Sequence, residues 1–140
     1  MKASPTILIP FCLALAAPVL AQESAPSFDI ELNALQPSDN GCRVTFVVTN
    51  SLGAAVDLVT AEVALFNVDR AIERIVKLDF KDLGVGKSKV LQFNVPSLDC
   101  TRIGRLLIND ITACQGETVA VTACLENLRT STVPNLTFGI

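Results

Sequence analysis

Residues 22–140 predict an all-β fold, an antiparallel β-sandwich of about seven strands. Three observations carry that prediction. Apolar and polar residues alternate with period two in one segment after another, and turn-forming residues recur at intervals of roughly 8–12 positions. The stretch also has the length of one domain, with no Gly/Ser-rich or Pro-rich linker and no internal repeat inside it.

Ser27 to Leu35 opens the series, with Phe28, Ile30 and Leu32 on one face and Asp29, Glu31 and Asn33 on the other. The segment PSDNG at 37–41 is a turn by its chemistry, because Pro, Asp, Asn and Gly each favour tight-turn conformations. CRVTFVVTN at 42–50 is rich in β-branched residues and sets Val44, Phe46 and Val48 against Arg43, Thr45 and Thr49, as a strand near the middle of a sheet does. LVTAEVALFNV at 58–68 is apolar on both faces, which suits an interior strand, while its alanines leave a helix open. Asp69 and Arg70 reverse the chain into AIERIVKLDF at 71–80, where Val76, Leu78 and Phe80 oppose Ile75, Lys77 and Asp79. Gly84 and Gly86 punctuate the exit, KVLQFNV at 89–95 alternates through Leu91, Phe93 and Val95, and Pro96 ends it because proline has no N–H to donate.

Beyond Cys100, alternation in RIGRLLINDITAC at 102–114 slips around Leu106 and Leu107, which predicts a bulge there. GETVAVTACLENL at 116–128 reads as a short helix or a loop stapled by Cys124, and a final strand within 128–140 is interrupted at Pro134. Asn135-Leu136-Thr137 matches an N-glycosylation acceptor pattern. The strand count and spacing point to an immunoglobulin-like design, with a small closed barrel as the alternative. The likeness is architectural, since the chain has no Trp to pack between sheets and no Tyr to form a corner.

Residues 1–21 read as a cleavable signal peptide. Lys2 leads into ILIPFCLALAAPVL, which closes on Val19-Leu20-Ala21, a charged start, apolar centre and small residue at the cut. No arginine pair precedes the run, which favours the general secretory route over the twin-arginine one. Cys12 sits in mid-run behind Phe11, unlike a lipid-anchoring cysteine, which follows small residues at the end of the run. The expected product is a single periplasmic or secreted domain, 22–140, without a membrane span, since no later stretch reaches the ~18–20 apolar residues a spanning helix needs.

Export changes what a thiol is for. Cys42, Cys100, Cys114 and Cys124 are an even set in an oxidising compartment, and none of their spacings is C-x-x-C, so two structural disulfides are expected rather than a zinc or redox site. If successive strands run antiparallel, Cys42 and Cys100 lie at one end of the sandwich. Cys114 then lies about 40 Å from Cys100 along an extended strand at ~3.3 Å per residue, too far for a bridge. The pairing predicted is Cys42 with Cys100 and Cys114 with Cys124.

The succession VTFVVTNSLGAAVDLVTAEVALFNVDRAIERI, a glycine-containing turn and KVLQFNV resembles sandwich modules of the FxLYD type over residues 42–95. ELNALQPSDNGCRVTFVVTNSLG with the later cysteines resembles small exported bacterial proteins labelled "Tat pathway signal sequence domain protein", although twin arginines are lacking here. Neither resemblance brings catalytic residues.

Charge and composition exclude further classes. Without Lys2 the 11 basic residues fall to 10 against 14 acidic ones, a net of −4, and DRAIERIVKLDFKD at 69–82 interleaves the signs, so no nucleic-acid partner is expected. The chain has no histidine, which removes the usual base of a hydrolytic triad. Asp29, Glu31, Asp79 and Asp82 fall where alternation or turn chemistry places them in solvent. GVG at 84–86 is a hairpin turn rather than a phosphate loop, and Ser38, Asp39 and Asn40 supply too few oxygens for the six or so that Ca²⁺ takes. The expectation is a non-enzyme without cofactor or metal, a binding or structural module for a protein partner in the cell envelope. Edge strands are its natural docking surface. The alternative is an inhibitor or accessory subunit acting through the disulfide-tied 114–124 loop.

Overall fold

The computed structural model describes residues 3–5, 16–21 and 23–140. Most of the apolar run expected to direct export, with Cys12, and the first residue after the expected cut, Gln22, lie outside the described residues. From Ser27 onward the chain forms two four-stranded sheets packed face to face. One has the order β5-β2-β1-β7 and the other β4-β3-β6-β8. The strands are β1 (Ser27–Ser38), β2 (Gly41–Ser51), β3 (Val56–Asn67), β4 (Ile72–Leu83), β5 (Ser88–Pro96), β6 (Ile103–Gln115), β7 (Leu128–Thr132) and β8 (Thr137–Gly139). A 3-10 turn, Cys100–Arg102, precedes β6, and a single helical turn, α1 (Ala123–Glu126), precedes β7. The neighbours β1-β2-β5 and β3-β6 are the A-B-E and C-F neighbours of an immunoglobulin-like sandwich, with β4 beside β3 as in the variable type. Among the described residues no helix is long and apolar enough to cross a membrane.

Alternation builds the core. Phe28, Ile30 and Leu32 of β1, Val44, Phe46 and Val48 of β2, and Val59, Ala61, Val63 and Leu65 of β3 are all buried. Phe46 meets Phe80 edge-to-face at 5.8 Å between centroids and Phe138 at 5.7 Å, so one ring links β2 to both β4 and β8. β2 and β3 are interior strands, as their sequences imply.

At the β1–β2 turn the strand runs on to Ser38, leaving Asp39 and Asn40 as the reversal, because Pro37 and Ser38 still pair with Cys42 and Gly41. Gly41 faces Pro96 across the ladder, and a Cβ there would overlap the carbonyl oxygen of Val95. The next inward position after Val48 is Asn50, fully buried, whose Nδ2 donates to the carbonyls of Ala54 (2.8 Å), Leu83 (3.1 Å) and Gly84 (3.3 Å) while Oδ1 accepts from Leu52 N–H (3.0 Å). One side chain thus ties two of the inter-sheet crossings, β2–β3 and β4–β5, and has both of its own polar atoms paired.

Four sequence expectations of the fold need correction. The turn at 84–87 does not close a hairpin, because it carries the chain from β4 in one sheet to β5 in the other. The slip in β6 is not one bulge at Leu106 and Leu107. Its register against β3 shifts at three points, around Gly104, Asn109 and Thr112, so that Ile103, Leu106, Ile108, Ile111 and Cys114 face the core at uneven spacing. The segment after 128 is two strands rather than one: Pro134 lies in the crossing, β7 joins one sheet and β8 the other, and the strand count is eight. Both pair in parallel, β7 with β1 and β8 with β6, so the sandwich is antiparallel except along these two ladders.

Both disulfides have the predicted partners. Cys42–Cys100 joins the start of β2 to the 3-10 turn with Cα atoms 5.1 Å apart, and Cys114–Cys124 joins the end of β6 to α1 at 5.9 Å.

Candidate functional site

β4 and β5 are consecutive in sequence but belong to different sheets, because the turn at 84–87 arches from one layer to the other. Gly86, at φ 68°, takes the left-handed conformation this arch needs, and its N–H donates to Asn50 O at 2.8 Å. Since β4 pairs only with β3 and β5 only with β2, each keeps one unpaired edge, and both edges border the same side of the sandwich.

Between them lies a groove of about 380 Å³. Its floor is Val76, Leu78, Phe93 and Val95; Arg74, Lys77, Gln92, Asn94 and Pro96 form the rim. Phe93 is held edge-to-face by Phe80 (5.8 Å) and Phe46 (6.1 Å), which makes the floor a rigid continuation of the core. Beneath it is a void of about 10 Å³ with a wholly apolar lining, which gives water no polar partner.

Charged contacts close the seam at both ends. At one, Arg74 Nη2 donates to Pro96 O at 3.1 Å. At the other, Lys89 Nζ reaches across to the Asp82 carbonyl and to Oδ1 at 3.0 Å. The Lys89 ammonium, hydrogen-bonded to the carboxylate, holds Asp82 below the ordinary carboxylate range. Among the described residues no carboxylate lines the groove between these ends, and its rim carries the cations Arg74 and Lys77.

The remaining sequence candidates do not converge. Ser38 and Asn40 hydrogen-bond to Asn94 of β5, and Arg43, a cation, lines the same hollow as Asp39, so the turn oxygens are not gathered around a shared centre. Among the described residues no three His, Cys, Asp or Glu side chains cluster as metal ligands. Asp29 and Glu31 are half-buried rather than solvent-facing, because β1 is flanked by β2 and β7; Ser27 Oγ donates to Asp29 (2.6 Å) and Asn33 to Glu31 (3.0 Å). Asp79 and Asp82 are exposed on β4 and take Lys81 N–H and Lys89 respectively. In the 114–124 loop, Val119 packs against the core and Val121 is 77% exposed. Asn135 is exposed.

Sequence reading missed Asn50 and the pairing of the β4 and β5 edges across a groove. The signal for Asn50 was present: 44, 46, 48 and 50 are successive inward positions, and a polar residue at the fourth implies a buried hydrogen-bond hub. No family model matches this chain, and neither the curated proteins nor the solved structures contain a match to it.

Proposed function

We propose that this protein is an exported, non-catalytic binding module that captures an extended segment of a partner protein along the seam between β4 and β5. The observation that carries this reading is the pair of free strand edges bordering a groove with an apolar floor and no carboxylate in its lining. An added strand gains main-chain hydrogen bonds from such an edge, and pockets for alternate side chains supply selectivity. Lys89 and Pro96 on β5 and the left-handed Lys81 on β4 (φ 62°) limit indiscriminate edge-to-edge pairing, leaving the stretch between them for a fitted partner. Export is supported by the apolar leader in residues 1–21 and by two disulfides, which persist in oxidising compartments. The absence of histidine supports a role without general-base chemistry.

The second reading, an inhibitor or accessory subunit, rests on exposed Val121 within the loop cross-linked by Cys114–Cys124. Affinity capture from envelope extract separates the two. Val90, 67% exposed on β5, is changed to Lys in one bait and Val121 to Lys in another. Loss of a stoichiometric partner with Val90→Lys and retention with Val121→Lys is the expected result, and the reverse pattern transfers the function to the loop.

A further inference from the structure

A second hollow, of about 260 Å³, shares no lining residue with the seam. It is lined by Phe66, Asn67, Val68, Arg70, Gly104, Arg105 and Thr137, so the β3–β4 turn, the start of β6 and the start of β8 all contribute to it. Gly104 lets the β6 backbone approach the turn closely: a Cβ there would press on Val68 Cα at 3.2 Å and Asn67 O at 3.3 Å. The turn itself is held by Asn67, whose Oδ1 accepts from Asp69 N–H (3.0 Å) and Ala71 N–H (2.9 Å).

Arg70 occupies a position that favours glycine. Its φ is 67°, the left-handed conformation that closes hairpin loops of this kind and is costly for a long side chain. A strained non-glycine residue lining a hollow points to a use for its side chain. Arg105 is fixed differently, with its guanidinium over the Phe66 ring at 5.4 Å, and it pairs on β6 with Phe66 on one side and Thr137 on the other.

The nearby acids are already engaged. Glu73 accepts from Asn67 Nδ2 at 3.0 Å and faces Arg102 at 3.9 Å, and Asp99 accepts from Thr101 N–H at 2.9 Å and its hydroxyl at 2.7 Å. Asp69 does not line the hollow. Among the described residues no carboxylate lies within ion-pair distance of Arg70 or Arg105. Arg70, Arg105 and Thr137 therefore line one hollow from three elements in a chain that is otherwise acidic.

We propose that Arg70, Arg105 and Thr137 form a receptor for a tetrahedral oxyanion, a phosphate or phosphate ester. Guanidinium groups match phosphate oxygens in charge and fork geometry, and donors arriving from three elements suit an acceptor with more than two oxygens. The phosphate is carried either by a free small molecule or by an anionic lipid headgroup, and the same residues serve both sources.

The test is a titration of the folded, oxidised protein at constant ionic strength, followed by amide NMR, with sodium phosphate in one arm and phosphatidylglycerol vesicles, against phosphatidylcholine vesicles, in the other. The expected result is perturbation confined to residues 66–70, 104–105 and 137, with binding weakened about tenfold or more by Arg105→Gln, since a charge-assisted hydrogen bond contributes at least that factor. Response to phosphate in solution identifies a free ligand; response to phosphatidylglycerol vesicles alone identifies a headgroup. Arg70→Gly separates structure from function: it relieves the turn, raises Tm by roughly 2–5 °C and loses binding. Lys81→Gly, at the left-handed position within β4, raises Tm without changing binding. The proposal is overturned if neither probe binds, if perturbations scatter over the lysines, or if Arg70→Gly and Arg105→Gln both retain full affinity.

Discussion

β2 and β6 are both interior strands with a partner on either side, and they reach that state differently. β2 runs against β5 in unbroken register from Gly41↔Pro96 to Thr49↔Ser88. β6 shifts register three times against β3. The same contrast extends in degree to their sheets: the β1–β2 ladder shifts once, between Leu32 and Ala34, whereas the β3–β4 ladder shifts three times, and two left-handed residues, Arg70 and Lys81, lie in or beside β4. Regular pairing builds the wall, whereas the irregular sheet re-aims side chains outward and creates the hollow at the β3–β4 turn.

The cross-links offer the strongest way to probe that contrast, since Cys42 anchors the regular sheet and Cys114 the bulged one. Their sequence separations are 58 and 10 residues, so the loop-entropy relation gives about 4 kcal/mol for Cys42–Cys100 and about 3 kcal/mol for Cys114–Cys124. Chemical denaturation of the two paired Cys→Ala variants is expected to show the larger loss for the first. An equal or reversed order would mean that the bulged strand, not the regular one, limits stability.

A pair of backbone substitutions has the next largest effect and opposite signs. Gly41→Ala forces a Cβ against Val95 O in the regular ladder and is expected to lower stability by about 2 kcal/mol, as an overpacked site does. Lys81→Gly releases a left-handed residue in the irregular sheet and is expected to add about 0.5–1 kcal/mol. Thermal melts of both variants sharpen the comparison, and a loss at Lys81→Gly would show that the bulge is not strained.

The smallest effect is electrostatic. Asp82, bonded by Lys89, and Asp99, bonded by the Thr101 hydroxyl and N–H, both titrate below the ordinary carboxylate range. Their stabilisation is therefore complete above the unfolded-state pKa of about 3.9 and is lost as pH falls through the lower folded values. Replacing Asp82 by Asn should flatten the acid limb of a Tm-against-pH curve slightly and leave its neutral plateau unchanged in shape. An altered slope above pH 5 would show that another group is responsible.

Legibility follows the same division. In β1, β2 and β5, inward residues such as Phe28, Phe46 and Val95 can be read from period two alone, because long stretches of unshifted pairing keep sequence parity and face in step, and in β4 the same holds only along the unshifted middle, residues 74–79. The disulfides were legible for the same reason, since strand direction places Cys42 and Cys100 at one end. In β6, each inserted residue flips parity; Gly104 is a bulge signal that could have been read, whereas Thr112 looks no different in sequence from a paired strand residue. The groove was only half legible: an edge can be guessed from Lys89 and Pro96, but the face-to-face placement of β4 and β5 depends on the turn at 84–87 crossing between layers rather than closing a hairpin within one. The Arg70–Arg105 hollow was not legible, because it joins residues whose proximity arises only after β3 and β6 pair.

The parallel ladder between β1 and β7 also governs the order in which this molecule can be completed. Phe28 pairs with Leu128, so the strand made earliest in the sandwich waits for nearly all of the others before its second flank is covered. As the chain folds, β1 can close a hairpin with β2 quickly, yet its opposite side stays an open template for mispairing with another unfolded copy until β7 docks. The fold is therefore complete on this side only once residues 128–132 have docked beside β1.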